Sequence, residues 1–141
     1  MGTTSVERLL GGVVRGKPRT PGEWIDLVRR GLPAAAVDSI AKAVGLSQAE
    51  LCQLLAISER TLIRRKKDGR LSTDESAKVL RVARVVHRAS AIFESRAKAL
   101  DWLKSTNRAL GSASPLSLLD TDLGAESVLD TLGRIEHGIF A

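Results

Sequence analysis

A chain of 141 residues has room for one compact domain, or for two small helical ones that share a core. Aromatic residues make up 3% and Tyr is absent, while few β-branched alternations interrupt a background of Ala, Leu, Arg and Glu, so the composition points to an all-α protein. The net charge of +6 suits an anionic partner, the single cysteine leaves no internal disulfide or cysteine-based metal site, and no apolar run approaches the ~18 residues of a membrane span. A cytoplasmic protein that does not engage membranes is expected.

Residues 1–22 hold Gly2, Gly11, Gly12, Gly16, Pro18, Pro21 and Gly22 around a short VERLL patch, which predicts a flexible N-terminal arm. From Thr20-Pro21 the pattern turns helical. Proline suits the first helical position, Trp24, Ile25, Leu27 and Val28 share a face with Trp24 as core anchor, and Gly31 ends the segment. PAAAVDSIAKAV over residues 33–44 predicts another short helix, stopped by Gly45.

The stretch SQAELCQLLAISERTLIRRKKDG, Ser47 to Gly69, reads as two short helices joined by a tight turn with cations on the second, the pattern of a helix-turn-helix. Ser47 with Glu50 forms a capping box, and Leu51, Leu54 and Leu55 share a face on which Cys52 is a small core residue. The turn falls at Ala56-Ile57, and Ser58 caps the second helix. Leu62 with Ile63 is expected to anchor that helix, leaving Glu59, Arg60, Thr61, Arg64 and Arg65 outward. Such a helix fits the DNA major groove, where Thr61 with Arg60 or Arg64 can read bases, Arg65, Lys66, Lys67 and Arg70 can meet phosphates, and Ser58 at the helix start is a further candidate DNA contact. The plainer alternative is a solvated helix end whose cations favour the negative pole of the helix dipole. The domain read from these signals covers residues 23–72.

Ser72-Thr73-Asp74-Glu75 repeats the capping-box signature and opens a helix predicted to run to about Arg96 or beyond, with AKALDWLKST continuing it; residues 73–106 are read as connecting and dimerisation helices. Lys78, Arg81, Arg84 and Arg88 line one stripe of it, able to follow phosphates, to meet an acidic protein surface, or simply to maintain solubility. Residues 58–106 carry 13 Lys and Arg against 6 Asp and Glu, whereas residues 107–141 carry 2 against 5, so the middle reads as a nucleic-acid face and the C-terminal part as something else. After a Gly- and Ser-containing break at 107–114, Ser114-Pro115 caps a short PLSLLD turn, and Thr121 or Asp122 caps a last helix with Leu123, Val128, Leu132 and Ile135 on its apolar face. Two isolated His residues, a core Cys and no glycine-rich phosphate loop or paired carboxylates leave no catalytic constellation, so no enzyme and no cofactor are expected.

The segment NRALGSASPLSLLDTDLGAESVLDTLGRIEHGIFA closely resembles the C-terminal domain of Xre/MbcA/ParS-type antitoxins, through its Asn-Arg-Ala-Leu-Gly start, its Pro-Leu-x-Leu-Leu-Asp-Thr core and its Gly-Arg-Ile-x-His-Gly ending. Ser58-Glu59-Arg60-Thr61-Leu62 and Leu71-Ser72 with Glu75-Ser76 resemble the same family upstream, and Ser112 departs from it where a second glycine is expected. The resemblance implies a Cro/repressor-like helix-turn-helix domain followed by a helical toxin-binding domain over residues 107–141. It further implies a type II antitoxin that blocks the active site of a RES-domain toxin that consumes NAD, is a homodimer, and represses its own operon by binding operator DNA. The candidate toxin contacts are Asn107, Arg108, Leu110 and Gly111 in one loop and Arg134, Glu136, His137, Ile139, Phe140 and Ala141 at the chain end, where a terminal aromatic and a carboxylate can enter a small-molecule cleft. The competing reading is a stand-alone dimeric transcriptional repressor whose C-terminal helices only dimerise it.

Overall fold

Local capping chemistry sets most of the element boundaries in the computed structural model of the chain, which describes residues 6–12 and 18–138. The described residues form helices and turns with no β-strand, and the chain divides between Ala83 and Arg84 into two compact units.

The N-terminal unit contains α1 (Val6–Leu9), α2 (Pro21–Arg30), α3 (Ala35–Val44), α4 (Gln48–Leu55), α5 (Glu59–Asp68) and the first half of α6 (Thr73–Phe93). Thr20 and Glu23 cap α2 reciprocally, and Ser47 and Glu50 do the same for α4, so each helix start satisfies amides that would otherwise lack partners. Ser58 accepts from the Thr61 amide at 3.0 Å to open α5. The VERLL patch is helical at Val6–Leu9, and Leu9 and Leu10 are fully buried, which removes their apolar surface from water. The core is aliphatic: Leu32, Val37, Ile40, Leu51, Leu55 and Leu62 are inaccessible to solvent, each contributing about 1.5–3 kcal/mol by burial. Cys52 lies among them, and its burial pushes the thiol pKa up, away from the nucleophilic thiolate.

Two connections clasp each other across this unit. Leu71 donates its amide to the Leu32 carbonyl at 2.9 Å, Ala34 donates to Gly69 at 3.0 Å, and Ser76 Oγ accepts from the Leu32 amide at 2.8 Å. Gly31 adopts φ +96° here, and a Cβ on it would stand 2.3 Å from the Leu71 carbonyl oxygen. The exit of α2 is thereby tied to the start of α6, a contact between segments about forty residues apart.

Three sequence expectations are corrected in these helices. Trp24 is half-buried and Ile25 is 49% exposed, so Leu27 alone is the buried residue of α2. Ile63 is 59% exposed and does not help Leu62 anchor α5, since position 63 is rotated about 100° from position 62 and faces solvent. The long helix ends at Phe93: Glu94 takes a left-handed φ of +54° and Ser95 caps a separate helix, α7 (Arg96–Lys104).

The C-terminal unit comprises the end of α6, α7, two 3₁₀ turns at Arg108–Leu110 and Leu116–Asp120, and α8 (Asp122–Glu136). Thr121 Oγ1 accepts from the Gly124 amide at 2.9 Å and starts α8. Val86, Ala89, Leu103, Leu119, Val128 and Leu132 form the core, and the Phe93 and Trp102 rings lie 5.8 Å apart at 43° beside it. Gly124 has no room for a side chain, because its Cβ would fall 1.9 Å from the Leu118 carbonyl oxygen. The second 3₁₀ turn is therefore pressed against the first turn of α8.

Candidate functional site

Helix α5 presents the N-terminal unit's concentrated charge, and the structure divides its cations into two sets. Arg65 is turned back onto α6, its Nε donating to Glu75 Oε1 at 2.8 Å and its Nη2 to Oε2 at 3.2 Å. Glu75 also accepts from the Ser72 amide at 2.8 Å. Burial raises the Glu75 pKa, but the Arg65 and Ser72 donors outweigh it and hold the carboxyl below its ordinary value, while the same hydrogen bond pushes Arg65 up. Lys66 Nζ pairs with Asp38 Oδ1 at 2.8 Å, and Arg70 Nη1 donates to the Gly31 carbonyl at 3.0 Å. The expectation that Arg65 faces outward is thus corrected by an acid ten residues downstream.

Arg60, Arg64 and Lys67 are exposed and make no hydrogen bond or ion pair through their side chains among the described residues. With Ile63 they occupy positions 60, 63, 64 and 67, one continuous face of α5. Ser58 and Thr61 are committed to the cap: the Ser58 hydroxyl donates to Thr61 Oγ1 at 2.9 Å while it accepts the Thr61 amide, and Thr61 is half-buried. The face therefore offers two guanidinium forks and an ammonium around an apolar side chain, groups that fit phosphates and guanine edges.

In the C-terminal unit the two 3₁₀ turns and α8 enclose an open groove of about 280 Å³, lined by Ala109, Leu110, Leu118, Ser127, Asp130, Thr131 and Arg134. Ser127 Oγ donates to the Leu123 carbonyl at 3.2 Å and Thr131 Oγ1 to the Ser127 carbonyl at 2.9 Å, so both hydroxyls serve their own helix. Asp130 and Arg134 are left as the charged groups of the groove, neither in an ion pair among the described residues. Leu123, expected on the buried face, is 74% exposed, because Ala125, Val128 and Leu132 set the inward side of α8 and position 123 falls outside it. Leu123, Ser127, Asp130 and Arg134 follow one another at spacings of four, three and four on a single stripe of α8.

The predicted contact residues divide in a similar way. Leu110 and Arg134, 24 residues apart, meet at the groove. Asn107 organises its own loop: its Oδ1 accepts from the Ala109 amide at 2.9 Å, its amide donates to Ala113 at 3.0 Å, and its carbonyl accepts from Leu110 and Ser112. Arg108 and Gly111 are exposed beside it, and Ser112 takes φ +64° where the sequence pattern anticipates glycine. Glu136 receives both terminal nitrogens of Arg88, whose hydrogen bond holds its carboxyl pKa down; this removes Arg88 from the basic stripe read along α6. His137 is exposed at the C-cap of α8, and Ile139, Phe140 and Ala141 lie outside the described residues. Leu118, Asp130 and the exposed Leu123 were not anticipated, although the spacing of 123, 127, 130 and 134 carries the signal. Among the described residues no group of three His, Cys, Asp or Glu side chains is placed to hold a metal ion, and no helix is long and apolar enough to cross a membrane.

Residues 23–84 match the antitoxin Xre-like helix-turn-helix domain, and residues 88–138 match the antitoxin Xre/MbcA/ParS C-terminal toxin-binding domain, a span that begins upstream of the break at 107. An antitoxin Xre of Yersinia enterocolitica is 36% identical over 119 residues, which cover 83% of this chain and 80% of that protein. An antitoxin Xre of Photorhabdus laumondii is 35% identical over 127 residues, covering 88% of this chain and 86% of its own. A Prs ADP-ribosylating antitoxin of Sphingobium sp. is 28% identical over 132 residues, or 86% and 83% of the two chains. The cationic helix lies inside the first matched region and the groove inside the second. The chain belongs to the Xre family of type II antitoxins, with an N-terminal helix-turn-helix domain and a C-terminal toxin-binding domain.

Proposed function

We propose that this antitoxin seats a RES-domain toxin on the groove between Leu110 and Arg134, closes the toxin's NAD site, and as a homodimer represses its own operon through α5. The observation that carries the reading is the groove itself. It combines a 280 Å³ recess, an acid and a base without ion pairs among the described residues, and a leucine 74% exposed at the other end of the same stripe, within the region matched to toxin binding. An exposed large apolar side chain beside a polar recess is the composition of an interface centre with its rim. An NAD-consuming target is supported by the name of the Sphingobium relative, since ADP-ribosylation takes its ADP-ribose from NAD and releases nicotinamide. The chain then acts by occupying a site, not by catalysis. Asn107, Arg108, Gly111, Glu136, His137, Ile139, Phe140 and Ala141 complete the contact set in this reading.

Operator binding is assigned to Arg60, Arg64 and Lys67, the cations of α5 that no acid of the described chain holds. Arg65 and Arg70 serve to position the helix, and Lys66 reaches a phosphate only by leaving Asp38.

Co-expression with the product of the neighbouring gene, following cellular NAD, tests the antitoxin reading. The intact chain preserves NAD, and Leu123→Glu or Leu110→Glu, changes at an exposed and a half-buried position, lose that protection while the protein remains folded by circular dichroism. NAD that stays constant when the neighbour is produced alone and folded overturns the NAD-consuming partner.

A further inference from the structure

Ile63 is the unexplained side chain of α5. It is a large apolar residue 59% exposed on a helix whose other outward residues are charged, and the core beneath is already filled by Leu62. A β-branched residue is also a weaker helix former than the Lys, Arg or Glu that would serve a merely solvated position. It stands five residues after the Ser58 cap, in the N-terminal half of the helix that a helix-turn-helix aims at base edges. Arg60 precedes it by one turn, Arg64 adjoins it and Lys67 follows by one turn, all three without ion pairs among the described residues.

This surrounding identifies the occupant. A second copy of the same face would oppose the net positive charge of Glu59, Arg60, Arg64 and Lys67 with its own, whereas the walls of a DNA groove are anionic. Within the major groove the apolar group presented by a base is the C5-methyl of thymine, and contact with it excludes water from both partners. We infer that Ile63 is a specificity-determining residue that reads a thymine methyl group, placed in register by phosphate and guanine contacts from Arg60, Arg64 and Lys67. The inference rests on the assignment of operator binding to α5.

The test uses the full-length chain and a duplex selected by it from a randomised pool. Each thymine of the selected duplex is replaced in turn by deoxyuridine, which removes only the methyl group, and binding is measured for the wild type and Ile63→Ala. The expected result is one thymine per half-site whose demethylation weakens wild-type binding about fourfold, the effect of one buried methyl-sized group, and has no effect on Ile63→Ala. Alanine at this exposed position keeps the helix, so the urea midpoint of the variant is unchanged or raised. Wild-type binding that tolerates every demethylation, or loses the same factor in both proteins, overturns the role of Ile63 while leaving DNA binding intact. A pool that yields no bound duplex overturns the operator assignment itself. Dissociation of a dimer by Ile63→Ala in sedimentation equilibrium places the residue at a protein interface and overturns the inference as well.

Discussion

Arg65 and Glu75 form a two-pronged pair, Nε to Oε1 at 2.8 Å and Nη2 to Oε2 at 3.2 Å, that fixes α5 against the start of α6. Glu75 is 7% exposed and its carboxyl titrates below its ordinary value of 4.5, so the folded state binds fewer protons than the unfolded one at acidic pH. The stabilisation is complete above pH 4.5 and is lost as pH falls through the lower folded value. Glu75→Gln is expected to lose about 1–3 kcal/mol at pH 7 by leaving the Arg65 and Ser72 donors poorly paired, and to lose less at pH 3. Urea unfolding at both pH values checks the sign.

Gly31→Ala is expected to destabilise the N-terminal unit. The left-handed φ alone costs about 1–3 kcal/mol for a residue with a Cβ, and the 2.3 Å approach to the Leu71 carbonyl forces the clasp apart. The expected outcome is a lower urea midpoint with the helical spectrum retained at low denaturant.

Two glycines of α8 are expected to respond in opposite directions. A methyl group on Gly133 would meet nothing within 4 Å, so Gly133→Ala gains up to about 1 kcal/mol of helix propensity. Gly124→Ala, the same chemical change nine residues earlier, drives a methyl into the Leu118 carbonyl 1.9 Å away and lowers the melting temperature.

Ser112→Gly is expected to stabilise the loop beside the groove. Serine holds φ +64° there, a conformation that glycine adopts without steric cost, and the net gain is up to about 1 kcal/mol. A shift of the melting temperature upward, with toxin neutralisation unchanged, meets the expectation.

Arg64→Ala and Arg65→Ala separate reading from positioning. Loss of the exposed Arg64 weakens operator binding by about 1–3 kcal/mol if it contacts a base, with the urea midpoint unchanged. Loss of Arg65 lowers the urea midpoint through Glu75. Identical stability losses in both variants contradict the division.

What the sequence disclosed was local chemistry. Ser47 with Glu50, Ser72 with Glu75 and Thr121 before α8 are legible because each cap and its amide are three residues apart. Apolar periodicity located α5 and α8 but misplaced Ile63 and Leu123, since a run of neighbouring apolar residues does not say which of them meets the core. The commitments of Lys66 to Asp38, 28 residues away, and of Arg70 to Gly31, 39 residues away, depend on the folded chain and leave no local mark. The groove is half legible for the same reason: Leu110 and Arg134 each stand out in the sequence, but their shared place in its lining depends on the fold.

The internal commitments of Arg65, Lys66 and Arg70 also set how binding will respond to ionic strength. Displacement of condensed counterions from a duplex counts only the cations that reach phosphates. If only Arg60, Arg64 and Lys67 are available to phosphates, the logarithm of the association constant should fall against the logarithm of salt with a slope no steeper than about −2.7 per chain, and shallower by about 0.9 for each of them that contacts a base instead, whereas all six cations on phosphates would give about −5.4. The formal charge written into the sequence thus overstates the polyelectrolyte character of the folded protein, and the operator complex proposed for α5 should survive moderate salt better than a count of lysines and arginines implies.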